Sequence, residues 1–126
     1  MAKILLIDDD EINNFTVDAI LKQVDFINQY VIKDNGWDAL GYLQSVEAAG
    51  EFPDLIFVDI NMPEMDGFEF IERYEAMFWA ANRNTRINVL SSSVSERDKQ
   101  KSLSYSSVTD YTHKPLTEQK LSDIMR

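Results

Sequence analysis

The chain has no cysteine, which excludes disulfides and cysteine-bound zinc and leaves a reducing compartment compatible with the composition. Histidine is almost as scarce, with His113 the only one. Cations are few: 12 Lys and Arg stand against 22 Asp and Glu, a formal net charge of −10. Nucleic acid is a polyanion and a poor partner for such a chain; a metal cation or a cationic protein surface suits it better. Long apolar runs are missing too. Ile4–Ile7 is far shorter than a signal-peptide core or a membrane span, so the chain reads as a soluble, unexported protein of the cytoplasm. With four glycines and three prolines, it has no Pro/Gly/Ser linker, no low-complexity tract and no internal repeat. One domain over residues 1–126 is expected, long enough to bury a core without covalent staples.

What the chain does have is alternation. Lys3–Ile7 is a short apolar run closed by three aspartates, the pattern of a parallel strand covered by helices on both faces. Residues 12–24 carry Ile12, Phe15, Ala19, Ile20 and Val24 at helical spacing. Tyr30–Ile32 is a second strand, and Gly36 precedes a helix with Ala39, Leu40, Leu43 and Val46. Gly50 and Pro53 break the chain before a third strand, Asp54–Val58, which runs into Asp59. A loop with Pro63 and Gly67 leads to a long helix from Phe68 to Ala81, with Phe70, Ile71, Tyr74, Met77 and Phe78 on one side. Ile87–Leu90 is a fourth strand, and Ser95 with Asp98 three residues on resembles a capping box. Val108–Thr112 is a fifth strand, and a last helix carries Leu121 and Ile124. Five strands alternating with five helices predict an α/β fold with a parallel sheet and right-handed crossovers.

Ligands of open parallel sheets bind outside the carboxyl ends of the strands. At those ends stand Asp8, Asp9 and Asp10 on the first strand, Asp59 on the third, Ser91 on the fourth and Lys114 on the fifth. Clustered carboxylates call for a hard cation, and a few carboxylates plus exchangeable waters suit Mg²⁺. An ionised aspartate can attack phosphorus. Phosphoryl transfer spreads charge over three oxygens, which a metal, an ammonium and a hydroxyl can share. Mg²⁺, Lys114 and Ser91 fill those roles. Asp10 and Glu11 read instead as acidic residues favouring a helix start.

Taken in order, LLIDDD, DLIFVDINMPEMDGFEF, NVLSSS and DYTHKPL resemble the response-regulator receiver domain over essentially the whole chain. The most specific stretch is Asp59 to Gly67. The resemblance implies a flavodoxin-like doubly wound sheet of order 2-1-3-4-5 and a function as a phosphorelay receiver. It implies Asp59 as phosphoacceptor, and Asp9 on Mg²⁺ directly with Asp8 mostly through water. It further implies the Asn61 carbonyl on the metal and Lys114 on the phosphoryl oxygens, preceding a cis Lys114–Pro115 bond. Tyr111 falls at the aromatic switch position. The phosphoryl donor would be a histidine kinase or histidine phosphotransfer protein. The face of helix four, strand five and helix five would change its affinity for a downstream partner, without direct DNA binding, membrane contact or independent enzymatic turnover.

Two positions depart from the family. Three serines replace the usual Thr/Ser-Ala pair; the local pattern favours Ser91 as the switch hydroxyl, while counting back from Lys114 allows Ser92. Ser106-Ser107 stand where Gly-Ala is usual. His113 reads as a surface residue, since the phosphohistidine comes in trans. Trp37, Phe78 and Trp79 include adjacent aromatics that cannot both face one core, so one is expected to be exposed for a partner. The rival readings are a haloacid-dehalogenase-type phosphatase using Asp8 and a receiver that binds without being phosphorylated. The initial Met and the end soon after the last helix favour a stand-alone receiver.

Overall fold

The five expected strands form one parallel sheet in the computed structural model, which describes residues 2–126. They are β1 (Ala2–Ile7), β2 (Ile27–Lys33), β3 (Leu55–Val58), β4 (Arg86–Ser91) and β5 (Val108–His113). Their order is β2-β1-β3-β4-β5, as the resemblance implies. Helices α1 (Glu11–Lys22), α2 (Gly36–Ala48), α3 (Gly67–Met77), α4 (Glu96–Ser104) and α5 (Glu118–Met125) connect and follow them. Every helix starts on a residue whose side chain accepts a backbone N–H of the first turn: Asp10, Asn35, Asp66, Ser95 and Thr117. Each such cap contributes about 0.5–2 kcal/mol. No helix among the described residues is long and apolar enough to cross a membrane.

Side chains alternate along each strand, so the sheet feeds two cores. Leu5, Ile7, Ile56, Val58, Ile87 and Val89 pack with Ala39, Leu40 and Leu43 of α2 and Phe70, Ile71 and Tyr74 of α3. Ile4, Leu6, Leu55, Phe57 and Leu90 pack on the other face with Val17 and Leu21 of α1 and Leu121 of α5. Helix α4 differs from the rest: its one buried residue is Ser102.

Two helices depart from the sequence expectation. In α1 the buried residues are Val17 and Leu21, with Ile20 and Val24 packed beside them. Ile12 and Phe15, 80% and 77% exposed, lie roughly opposite Val17 at about 100° per residue, and Ala19 is exposed as well. The sequence holds two apolar stripes, and only one meets the sheet. The helix expected over residues 68–81 ends at Met77, and a short 3₁₀ turn follows at Trp79–Ala81. That break lets Phe78 bury, while Trp79 stays half-buried against the same core with the Arg83 guanidinium 4.7 Å from its ring centre. Both adjacent aromatics thus reach one core, contrary to the expectation that one of them would be exposed, because the helix ends at Met77 and the turn re-aims Trp79; of the three aromatics it is Trp37 that is exposed.

Candidate functional site

The strand register brings the carboxyl ends level. Ile7 pairs with Lys33 on one side and Val58 on the other, and Val58 pairs with Val89. The ladder continues one residue further, with Asp8 N–H donating to the Lys33 carbonyl (3.1 Å), Asp59 N–H to Ile7 (3.0 Å) and Lys114 N–H to Ser91 (2.8 Å). Asp8, Asp59 and Lys114 are therefore fixed by the sheet itself rather than by free loops.

Their side chains converge. Lys114 Nζ is 2.7 Å from Asp8 Oδ2 and 3.5 Å from Asp59 Oδ2. The two carboxylates are held very differently. Asp8, fully buried, also accepts the Asn13 amide (2.8 Å) and the Asp10 N–H (2.9 Å), while the Asn14 amide binds its carbonyl (2.8 Å). Asp59 accepts one long bond, from the Asn61 N–H at 3.4 Å. Burial, and next the Asp8 charge, push the Asp59 carboxyl up to about 6, against the opposing pull of Lys114 and the Asn61 N–H. For Lys114, burial lowers the pKa, but the Asp8 bond and the charges of Asp8, Asp59 and Asp10 outweigh it and leave the ammonium above its ordinary value.

Asp8, Asp9 and Asp59 each offer a carboxylate oxygen, all within 4.8 Å of one another. Three oxygen donors at that spacing fit a hard divalent cation such as Mg²⁺. Asp9 is exposed, whereas Asp8 and Asp59 are buried, so one candidate ligand reaches from solvent and two from the sheet. Asn61 is exposed beside them. Lys114–Pro115 is cis.

The loop from Asp59 to Gly67 is tied back to the strand. Gly67 N–H donates to the Ile60 carbonyl at 2.8 Å, and a Cβ on Gly67 would lie 2.4 Å from the Asp59 carbonyl oxygen and 2.7 Å from Ile60 Cα. Only glycine allows that approach. Met62 and Met65 anchor the loop in the core, and Glu64 turns it at φ 65°.

The remaining sequence candidates lie around this centre. Ser91 is buried, and its hydroxyl accepts the Ser93 N–H at 3.1 Å. Strand alternation puts Ser91 on the face of Ile87 and Val89, and puts exposed Ser92 on the face of Leu90 and Asp59. Tyr111, half-buried, donates its hydroxyl to the Ser93 carbonyl at 3.0 Å. His113 is exposed. Asn13 and Asn14 were not among the sequence candidates; the signal for them was a pair of amides in the first turn of the helix that follows the aspartate run. A groove of about 430 Å³ between β1, Phe26 and α5 lies at the opposite end of the strands and shares no residue with this rim.

Comparison with known proteins agrees with this geometry. Residues 4–126 match the response regulator receiver domain family. Sensor protein GacS of Pseudomonas syringae pv. syringae is 30% identical over 126 residues, 98% of this chain but 13% of that protein. Two-component response regulator ORR41 of Oryza sativa subsp. japonica is 32% identical over 99% of this chain and 92% of its own length. The crystal structure of a two-component response regulator from Cytophaga hutchinsonii superposes with a TM-score of 0.90 at 33% identity, covering 98% of this chain and 92% of that one.

Proposed function

Since the chain belongs to the response regulator receiver family, we propose that it acts as one domain that takes a phosphoryl group onto Asp59 from the phosphohistidine of a histidine kinase or phosphotransfer protein. The observation that carries this reading is the asymmetry of the two buried carboxylates. Asp8 has its oxygens engaged by Lys114, Asn13 and Asp10, while Asp59 keeps one long hydrogen bond and an ammonium at 3.5 Å. A phosphatase with Asp8 as nucleophile would have to break three contacts to free it.

An Asp59 carboxylate oxygen forms the new O–P bond, the donor's N–P bond breaks, and the imidazole nitrogen keeps the electron pair. Lys114 neutralises charge on the transferred oxygens. Asp8, Asp9, Asp59 and the Asn61 carbonyl would hold Mg²⁺, which when bound offsets charge on the phosphoryl oxygens. Ile12 and Phe15, exposed on the first turns of α1 just after Asp9 and Asp10, offer an apolar seat for the donor.

The added charge then draws a serine hydroxyl toward the phosphoryl group, and Tyr111 follows. Of the two serines left open by the sequence, Ser91 faces the α3 side and is bonded to Ser93, so Ser92 is the better placed. The face of α4, β5 and α5 then changes its affinity for a downstream partner. The chain works as a cytoplasmic signalling module, without turnover chemistry of its own and without reading DNA directly. Acetyl phosphate with Mg²⁺ should label the wild type and not Asp59→Ala. Equal labelling of that variant refutes the assignment, and loss of labelling in Asp8→Asn with retention in Asp59→Asn would favour the phosphatase. A wild type that neither labels nor binds beryllofluoride would be a binding-only receiver.

A further inference from the structure

Helix α5 breaks a rule that the other helices keep. At the third position after the cap, α2, α3 and α4 carry an acid (Asp38, Glu69 and Asp98) and α1 carries Asn13. Helix α5, capped by Thr117, carries Lys120 there. The open N–H groups of a helix start favour an anion and disfavour a cation, so α5 itself gives no reason for a lysine. The ammonium is instead turned back onto the preceding turn. Lys120 Nζ donates to the His113 carbonyl at 2.9 Å and to the Pro115 carbonyl at 3.0 Å.

Those two carbonyls flank Lys114. In a trans peptide the C=O and N–H point opposite ways. The peptide between His113 and Lys114 is therefore gripped from both sides. Its N–H reaches the Ser91 carbonyl of β4 at 2.8 Å. Its C=O faces the open side of β5, the edge strand, where Lys120 meets it. Little else holds this stretch: Val108 is the one buried residue of β5, and Leu116 the one buried residue between β5 and α5. Yet the stretch carries the ammonium that lies 2.7 Å from Asp8 and 3.5 Å from Asp59. A positioned group misplaced by about 1 Å can cost on the order of 100-fold in rate.

We propose that Lys120 is a positioning residue: it clamps the backbone on either side of Lys114 and so keeps the Lys114 ammonium between Asp8 and Asp59. The clamp explains a cation at a helix start, where local preference is broken to serve a site. Its effect on phosphorylation rests on the reading of Asp59 as acceptor; its effect on the Asp8–Lys114 pair does not.

The test uses the full chain, acetyl phosphate with Mg²⁺, and urea unfolding. Lys120→Gln gives α5 a capping box with Thr117 and takes the cation off the helix start, so the helix itself is not weakened. Labelling should nevertheless slow by about fivefold or more, and the loss should persist in high salt, which screens the change in net charge. Lys120→Arg keeps donors for both carbonyls and should label within about twofold of the wild type. Lys114→Met should lower the urea midpoint of the wild type, and lower it less in Lys120→Gln, because a lysine already displaced has less to lose. The proposal is overturned if Lys120→Gln labels at the wild-type rate, if its loss disappears in high salt, if Lys120→Arg labels no faster than Lys120→Gln, or if Lys114→Met lowers both midpoints equally. A wild type that takes no label, with the two midpoint changes still unequal, would sink the acceptor reading and leave the clamp standing.

Discussion

Replacing Asp59 with Asn should make the protein more stable, and the gain should depend on pH in a defined direction. The Asp59 carboxyl is held up to about 6 from an ordinary 3.8, by burial first and the Asp8 charge second. A carboxyl that ionises near 4 in the unfolded chain and near 6 in the folded one costs nothing below pH 4. It penalises the folded state increasingly as pH rises to 6, and the penalty is constant above about pH 7. A shift of roughly two units corresponds to about 3 kcal/mol, on the order of 10 °C in melting temperature for a chain of this size. Asn removes the titration while Lys114 keeps its 2.7 Å contact with Asp8. The two proteins should therefore unfold alike near pH 4 and diverge by up to about 3 kcal/mol at pH 7.5 in chelator, read by urea titration with circular dichroism. Mg²⁺ should narrow the gap, because a ligand that binds only the folded site stabilises the wild type by mass action. A gap that is absent at pH 7.5, or equally wide at pH 4.5, would refute the reasoning.

Gly67→Ala places a methyl group 2.4 Å from the Asp59 carbonyl oxygen and should cost about 2–3 kcal/mol, seen as a lower urea midpoint together with weaker acetyl-phosphate labelling; a variant with wild-type midpoint contradicts the close approach. Asn88, buried within β4, has both amide atoms without a partner. Asn88→Val should be neutral or stabilise by up to about 2 kcal/mol, and a marked drop in midpoint would mean that the amide is satisfied in solution.

Much of this architecture was legible because the central strands β1, β3 and β4, buried on both faces, leave largely apolar runs, while the edge strands β2 and β5 leave only short β-branched and aromatic signals. The rim was legible for a related reason: Asp8 and Asp59 stand directly beyond apolar runs, where composition changes abruptly, whereas Lys114 follows the polar β5 and was placed by the resemblance and by Pro115 after it. What could not be read depends on faces and parity. Ile12 and Phe15 are apolar at helical spacing, and nothing in the spacing distinguishes them from Val17 and Leu21; the choice is made by which side of α1 meets β1 and β3. Ser91 and Ser92 differ by one residue, and that one residue decides which face of the sheet a side chain takes, while strand ends are read from sequence only to within a residue or two. Asn13 and Asn14 carry no motif, since an amide that braces an aspartate's carboxylate or its backbone carbonyl looks like any polar residue in a helix's first turn.

The contact between Asp8 and Lys114 joins the end of β1 to the residue that follows β5. Pairing groups so far apart closes a loop of nearly the whole polypeptide, a step that non-local topologies reach late. Until β5 is in place, the aspartates at the rim face one another with no ammonium between them, and their mutual repulsion works against a partly assembled sheet. A nascent or truncated chain that stops before β5 would carry the proposed acceptor, Asp59, and the metal candidates without Lys114 beside them. The full constellation of the rim is thus assembled only in a completed sheet, and on the proposed reading loss of acetyl-phosphate labelling would be expected of any chain that lacks β5.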